Sequence, residues 1–311
     1  MKSSTKNSWI KAFKSKKMLA LFSMMIPGLI YLLINNYLPM VGVVIAFKRY
    51  DFSKGIIRSP WCGLKNFTYL FQTGDALTIM KNTVLYNFSF IVLGNILAVA
   101  ISIMLNLLKG KMNKKVYQTL ILVPYLVSMV IVSYITYGFL STESGFLNRM
   151  IEAFGGKAVN WYITPDYWPF ILIFIYLWKH FGYNSILYYA TVIGIDTSLY
   201  EAAAIDGAGK WKQVWHITLP GLKTTIITLV LLAVGRMFFS DFGLFYQVPM
   251  HSGLISNVTD TIDVYVYKAL LQLNDIGRSA AAGFVQSALG FILIVIVNKI
   301  VRKVDEESAL F

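Results

Sequence analysis

Charge is scarce in this chain, and acidic charge scarcest. Asp, Glu, Lys and Arg make up only 14% of the 311 residues, with 15 Asp and Glu against 28 Lys and Arg. Soluble domains carry about 25% charged residues. With 57% hydrophobic residues and a mean hydropathy of +0.61, the chain lacks the polar material to cover a water-facing surface. Its composition calls for lipid as solvent. The single cysteine, Cys62, excludes an internal disulfide framework and any Cys-based zinc site. The three histidines, His180, His216 and His251, are too dispersed for metal-ligand spacing, so no metal site is expected. A net charge of +13 would suit nucleic acid. Nucleic-acid binders, however, gather their charge on one face or arm, and here it is scattered between apolar runs, so no such partner is expected.

What the sequence has in abundance is long apolar runs. A helix needs ~20 mostly apolar residues to cross a bilayer core, and six stretches qualify, at about 18–36, 83–108, 117–140, 167–190, 221–245 and 280–301. The first follows Lys11, Lys14, Lys16 and Lys17, as a signal peptide would, but it lacks a small-residue cleavage site and holds Pro27 mid-run. It is read as a retained span. Six spans put both termini on one side, and the excess of Lys and Arg assigns that side to the cytoplasm. The inner segments then hold Lys109, Lys111, Lys114 and Lys115, then Lys210, Lys212 and Lys223, and finally Lys299, Arg302 and Lys303. The outer loop 37–82 dissents with Lys48, Arg49, Lys54, Arg58, Lys65 and Lys81; its stretch 37–47 is expected to lie at or re-enter the outer interface.

One inner segment differs from the rest. Between the fourth and fifth spans stand Glu201-Ala202-Ala203, Asp206-Gly207 and, after nine further residues, Ile217-Thr218-Leu219-Pro220. Ser198 and Glu201 have the spacing of a capping box, which starts a helix at Ser198, and the alanines continue it. Gly207 and Gly209 permit a reversal through positive φ. A second helix from Lys210 sets Trp211, Val214 and Trp215 on one side, and Pro220 suits the first turn of the next span. The segment reads as a helix–turn–helix.

This pattern, E-A-A, three residues, G, nine residues, I-x-L-P, resembles the EAA motif of the permease subunits of binding-protein-dependent ABC importers. The similarity is greatest to the lipoprotein-dependent oligosaccharide and polysaccharide permeases of Gram-positive bacteria. Further segments that carry it include Asn36-Tyr37-Leu38-Pro39-Met40, Gly63-Leu64-Lys65-Asn66-Phe67 and Asp241-Phe242-Gly243-Leu244-Phe245-Tyr246. Thr197 departs from the proline that relatives often carry there.

The resemblance implies an all-α membrane protein with the six-helix type I importer fold. It implies a cytoplasmic segment 1–17, one transmembrane permease domain over 18–303 and a cytoplasmic tail 304–311. It also implies a plasma-membrane location, a second homologous permease as partner and a carbohydrate delivered by an extracellular solute-binding lipoprotein. ATP and Mg would be bound by two partner ATPase subunits rather than by this chain. The 198–220 loop would dock on the ATPase and drive alternating access, through Glu201, Ala202, Ala203, Asp206, Gly207, Ile217, Leu219 and Pro220.

No catalytic engine is legible. Gly207-Ala208-Gly209-Lys210 lacks the first glycine and the Ser or Thr of a P-loop. A membrane hydrolase would need a nucleophile–base pair, for which the sequence offers only His180 beside Lys179 and a lone Asp241. A secondary transporter remains as an alternative, as does a permease for a non-sugar solute, but no internal repeat of the kind such transporters show is present.

Ionisable residues inside spans mark cavities or pathways. Lys179 and His180 fall mid-span in the fourth run, and Arg236 and Asp241 in the outer half of the fifth. An internal ion pair of Lys179 or Arg236 with Asp241 is the alternative reading. Sugar-matching polar and aromatic groups complete the candidate path: Asn87, Asn95, Tyr134, Tyr137, Trp178 and Tyr183.

Overall fold

The computed structural model describes residues 16–72, 74–304 and 309. Among the described residues the chain is helical, and an isolated antiparallel bridge between Lys48 and Trp61 is its one β contact. Five helices are long and apolar enough to cross a membrane: α1 (Ala20–Phe47), α2 (Gly74–Leu107), α5 (Trp168–Val192), α7 (Lys210–Gly235) and α10 (Ile276–Val304). A sixth span forms if α3 (Lys111–Leu126) and α4 (Met129–Leu140), which meet at 89°, are counted together. Short helices α6 (Thr197–Ile205), α8 (Phe242–Gln247) and α9 (Ile262–Tyr267) lie between them.

The structure corrects three sequence-based expectations. The stretch 37–47 is not re-entrant; it prolongs α1 through a π turn at Leu33–Tyr37 and a 3-10 turn at Val41–Phe47. Its apolar residues continue the helix, and Pro39 follows directly on the π turn, where the helix is already locally irregular. The third run is broken rather than straight. Pro124 closes α3, Val127 turns extended, and Ser128 restarts the chain as α4 by accepting a hydrogen bond from the Ile131 N–H at 3.3 Å. The fifth helix does not reach residue 245. It stops at Gly235, and α8 begins only after Asp241, whose carboxylate accepts the Leu244 N–H at 3.1 Å.

Both breaks lie beside the midpoint of another long helix. The carbonyl of Gly235 would be 3.4 Å from a Cβ on Gly290, halfway along α10. The other break faces Lys179, halfway along α5. Free backbone groups in such a place cost several kcal/mol each unless partnered, and both breaks are supplied. Lys179 is buried, and its ammonium donates to the carbonyls of Tyr125 at 3.0 Å, Pro124 at 3.4 Å and Val127. At the second break Asn87 donates to Met237 O at 2.9 Å and Gln286 to Phe238 O at 2.8 Å. The carboxylate of Asp263 accepts the Ser240 N–H and hydroxyl at 2.6 and 2.8 Å.

The core is built on the pairing of α2 with α5, clamped by α4 and α8. Tyr86, Phe90, Val132, Trp168, Leu172, Leu244 and Phe245 are all buried there. α5 also lies against α3 with almost no gap, since a Cβ on Gly182 would sit 1.7 Å from the Ile121 carbonyl oxygen. α1 packs on α10 through its last turns, around Ala46 and Ala281.

Candidate functional site: the Glu-Ala-Ala hairpin and the helical core

The segment between α5 and α7 folds as a helical hairpin. Its first helix starts two residues earlier than the capping-box spacing predicts. Asp196, not Ser198, is the N-cap and accepts the Ser198 N–H at 2.9 Å, so Glu201 is too far along the helix to close a box. That hydrogen bond, with a second from the Ser198 side chain, holds the Asp196 carboxyl below its ordinary range. The helix ends in a Schellman turn: Ala208 N–H reaches Ala203 O at 2.8 Å and Gly207 N–H reaches Ala204 O at 3.1 Å. Gly207 takes φ +76°, as the turn demands, whereas Gly209 keeps φ −66° and caps the start of α7. Open space surrounds the Gly207 Cα, so the backbone angle alone selects glycine there.

Gln213 and Thr218 lock the two arms together, a role their sequence context did not signal. The buried Gln213 amide donates to Ala208 O at 3.2 Å and Tyr200 O at 3.5 Å, and the Tyr200 hydroxyl lies 3.0 Å from that of Thr218. α7 widens to a π turn over Val214–Thr218, so Leu219 and Pro220 continue an existing helix rather than begin one. Val214 points inward, away from Trp211 and Trp215, which are 76% and 65% exposed, so the predicted three-residue face splits. Glu201, Ala202, Asp206 and Gly207 are exposed, Ala203, Ile217 and Leu219 are half-buried, and Pro220 is exposed. Glu201 has no hydrogen bond or ion pair among the described residues, and Leu199 and Ile205 beside it are 52% and 87% exposed. The hairpin therefore presents an unpaired carboxylate together with exposed apolar side chains. A cleft of about 520 Å³ separates it from the Asn106–Lys109 turn.

The candidate path residues scatter. Asn87 and Lys179 hold the two helix breaks, as described. The predicted ion pair is absent: among the described residues Asp241 makes no salt bridge with Lys179 or Arg236, because Asp241 caps α8 and Lys179 faces backbone carbonyls. Asn95 does line a small cavity, about 180 Å³, between α2, α5 and α7, where its Oδ1 accepts from the Tyr188 hydroxyl. Asn184 and Tyr176 share that cavity and escaped the sequence reading, since asparagine and tyrosine on an apolar helix carry no periodic signal. Tyr183 stacks on Tyr125 at 4.6 Å, Tyr137 leans on Tyr162 at 5.7 Å, and Tyr134 is exposed. Trp178 packs against the main core, and Arg236 is exposed at the second break.

Residues 90–306 match the family described as binding-protein-dependent transport system inner membrane component. The chain belongs to this family. Two Bacillus subtilis (strain 168) relatives match over nearly its whole length. The polygalacturonan/rhamnogalacturonan transport system permease protein YteP is 34% identical over 93% of this chain and 89% of its own. Protein LplB is 35% identical over 97% and 93%. Among solved structures, a bacterial ABC transporter involved in the import of the acidic polysaccharide alginate superposes with a TM-score of 0.86 at 28% identity. That match covers 96% of this chain and 99% of the other. The protein is thus an all-α, multi-pass permease subunit of an ABC importer, a family in which the ATPase is a separate subunit.

Proposed function

We propose that this permease carries a carbohydrate, delivered by an extracellular solute-binding protein, into the cytoplasm, and that the hairpin is its ATPase-docking element. The observation that carries the docking role is the unpaired, exposed Glu201 on a hairpin that also exposes Leu199, Ile205 and Trp211 and is locked by Gln213. Such a knob suits a cleft with a basic group, because apolar side chains buried with it exclude water and strengthen the charge pair. The stiff link from hairpin to α5 and α7 carries a push at the knob into the bundle. A homologous second permease, two ATP-binding subunits and cytoplasmic termini complete the assembly. The saccharide reading draws on relatives whose substrates are pectic polysaccharides and alginate. Within the bundle Asn95, Tyr183, Arg236 and Asp241 are the residues we assign to the path.

The test uses the assembled transporter in proteoliposomes with its binding protein. Glu201→Lys should leave assembly intact and abolish substrate-stimulated ATP hydrolysis and uptake. Wild-type stimulation in that variant overturns the docking role. A cysteine introduced at Lys210 should react with impermeant thiol reagents only after cells are opened, and its labelling in intact cells overturns the orientation.

A further inference from the structure

The loop after α1 dissents from the charge rule, and its structure gives a reason. It is no loose linker. Lys48 is buried and donates to the carbonyls of Ile56 and Ile57 at 3.0 and 2.7 Å, with its ammonium 5.0 Å from the Trp61 ring centre. Asn66 donates to the carbonyls of Ala46 and Lys48 at 2.9 and 3.0 Å, and Arg49 and Cys62 add backbone bonds to Pro60 and Phe47 at 2.9 Å each. This frame, with the start of α10, encloses a cavity of about 700 Å³. That volume falls in the range of small-molecule sites, about 300–1,000 Å³.

Its lining is cationic and aromatic. Arg49 and Lys65 are exposed there and have no ion pair among the described residues. The one lining carboxylate, Asp275, is paired with Arg278 at 2.9 Å. Trp61 and Phe52 are 69% and 72% exposed, and Tyr50 meets Phe52 edge-on at 5.1 Å. Flat rings suit the C–H faces of sugars, and unpaired cations suit carboxylates through charge-assisted hydrogen bonds. Neutral sugars would leave Arg49 and Lys65 unmatched.

We propose that this cavity is an outer-face binding site for a carboxylated saccharide, a uronate-type unit of the transported chain. The proposal rests on the orientation given under Proposed function and narrows its substrate class to acidic oligosaccharides. Two of the six basic residues in this loop, Arg49 and Lys65, are then ligand groups rather than a topological signal.

The native Cys62 lines the cavity and reports on it directly. The experiment labels Cys62 with an impermeant maleimide in cells producing the whole transporter, with a galacturonate trimer or a neutral galactose trimer present. The expected result is labelling from outside, slowed by the acidic trimer and not by the neutral one. Arg49→Gln with Lys65→Gln should weaken that protection at least about tenfold, through loss of two charge-assisted bonds. External labelling that the acidic trimer does not slow, or that both trimers slow alike, overturns the proposal and leaves the orientation standing. Protection by the binding protein alone overturns it in favour of a protein-docking surface. Labelling only after permeabilisation overturns the orientation and the proposal together. Should Cys62 resist the reagent, calorimetric titration of the detergent-solubilised transporter with the two trimers decides. Acid-selective heat that the double variant loses supports the site, and its absence overturns it.

Discussion

The hairpin and the two helix breaks are the irregular regions of this permease, and they are held together by opposite means. The hairpin is closed by neighbours in sequence: Asp196 caps it, Gly207 turns it, and Gln213 ties it back to Tyr200 and Ala208. The breaks are closed by strangers. Lys179 is more than fifty residues from the carbonyls it satisfies, and Asn87 reaches Met237 across 150 residues. A water-exposed hairpin can afford local bonds because solvent covers the remainder. A break packed between helices cannot, so the local caps at Ser128 and Asp241 are supplemented by side chains from facing elements. Changes at the breaks should therefore damage the whole bundle, while changes at the hairpin should damage coupling and leave the bundle intact.

The largest expected effect is at the α3–α5 contact on which one break depends. Gly182→Ala places a methyl inside the Ile121 carbonyl, and backbone on both helices must shift. Overpacking of this kind costs typically 1–3 kcal/mol and occasionally more. The variant should lose folded protein in detergent thermal melts, and a wild-type melting temperature would break the comparison.

Lys179→Met comes next. It strips the α3 end of its donor and leaves buried carbonyls unpaired, a loss of about 3 kcal/mol. Because backbone and not Asp241 is the partner, adding Asp241→Asn should restore none of it. Rescue by the double change would show a hidden ion pair.

Gln286→Leu should cost about 1–3 kcal/mol, since Phe238 O and one Asp263 oxygen lose their donor. Melting of the purified complex measures it.

At the hairpin the effects are smaller in stability. Gly207→Val imposes φ +76° on a β-branched residue and costs about 1–2 kcal/mol locally. The transporter should still assemble, with stimulated ATPase activity sharply reduced; loss of assembly would mean that the hairpin supports the bundle. The smallest effect is at Asp196. Its carboxyl is lowered by the Ser198 bonds, so the stabilisation is present above the unfolded value and fades as pH falls through the folded one, in acid below about 3.8. Asp196→Ala should speed hydrogen exchange at the first amides of α6 at neutral pH and remove that acid dependence.

Legibility followed the same division. The hairpin was readable because motif, alanine run and turn glycine lie within twenty-odd residues; what was misread was its cap, by two positions, the conformation of Gly209, the face shared by Trp211, Val214 and Trp215, and the place of Pro220. Spans α2, α5 and α10 were readable from apolar length. The breaks were not. The stop signals there, Gly235-Arg236 and the capping Asp241, were outweighed by the apolar residues of 236–245, which continue the hydropathy of a span. Pro124 hinted at the bend but not at its 89° angle. Asn87, Lys179 and Asp241 were legible as anomalies in apolar surroundings, yet what they bond to was not.

The sequence by itself determined that the chain lives in a membrane, how many apolar stretches it offers and where the Glu-Ala-Ala hairpin lies. Hydropathy and local turn chemistry are written residue by residue, so these need no distant partner. Tertiary structure alone decided where two of the helices stop, that Lys179 caps a helix end instead of pairing with Asp241, and that the basic loop after α1 frames a cavity. Each of those outcomes depends on which side chain a facing element brings within hydrogen-bond reach, and that distance exists only once the helices have packed.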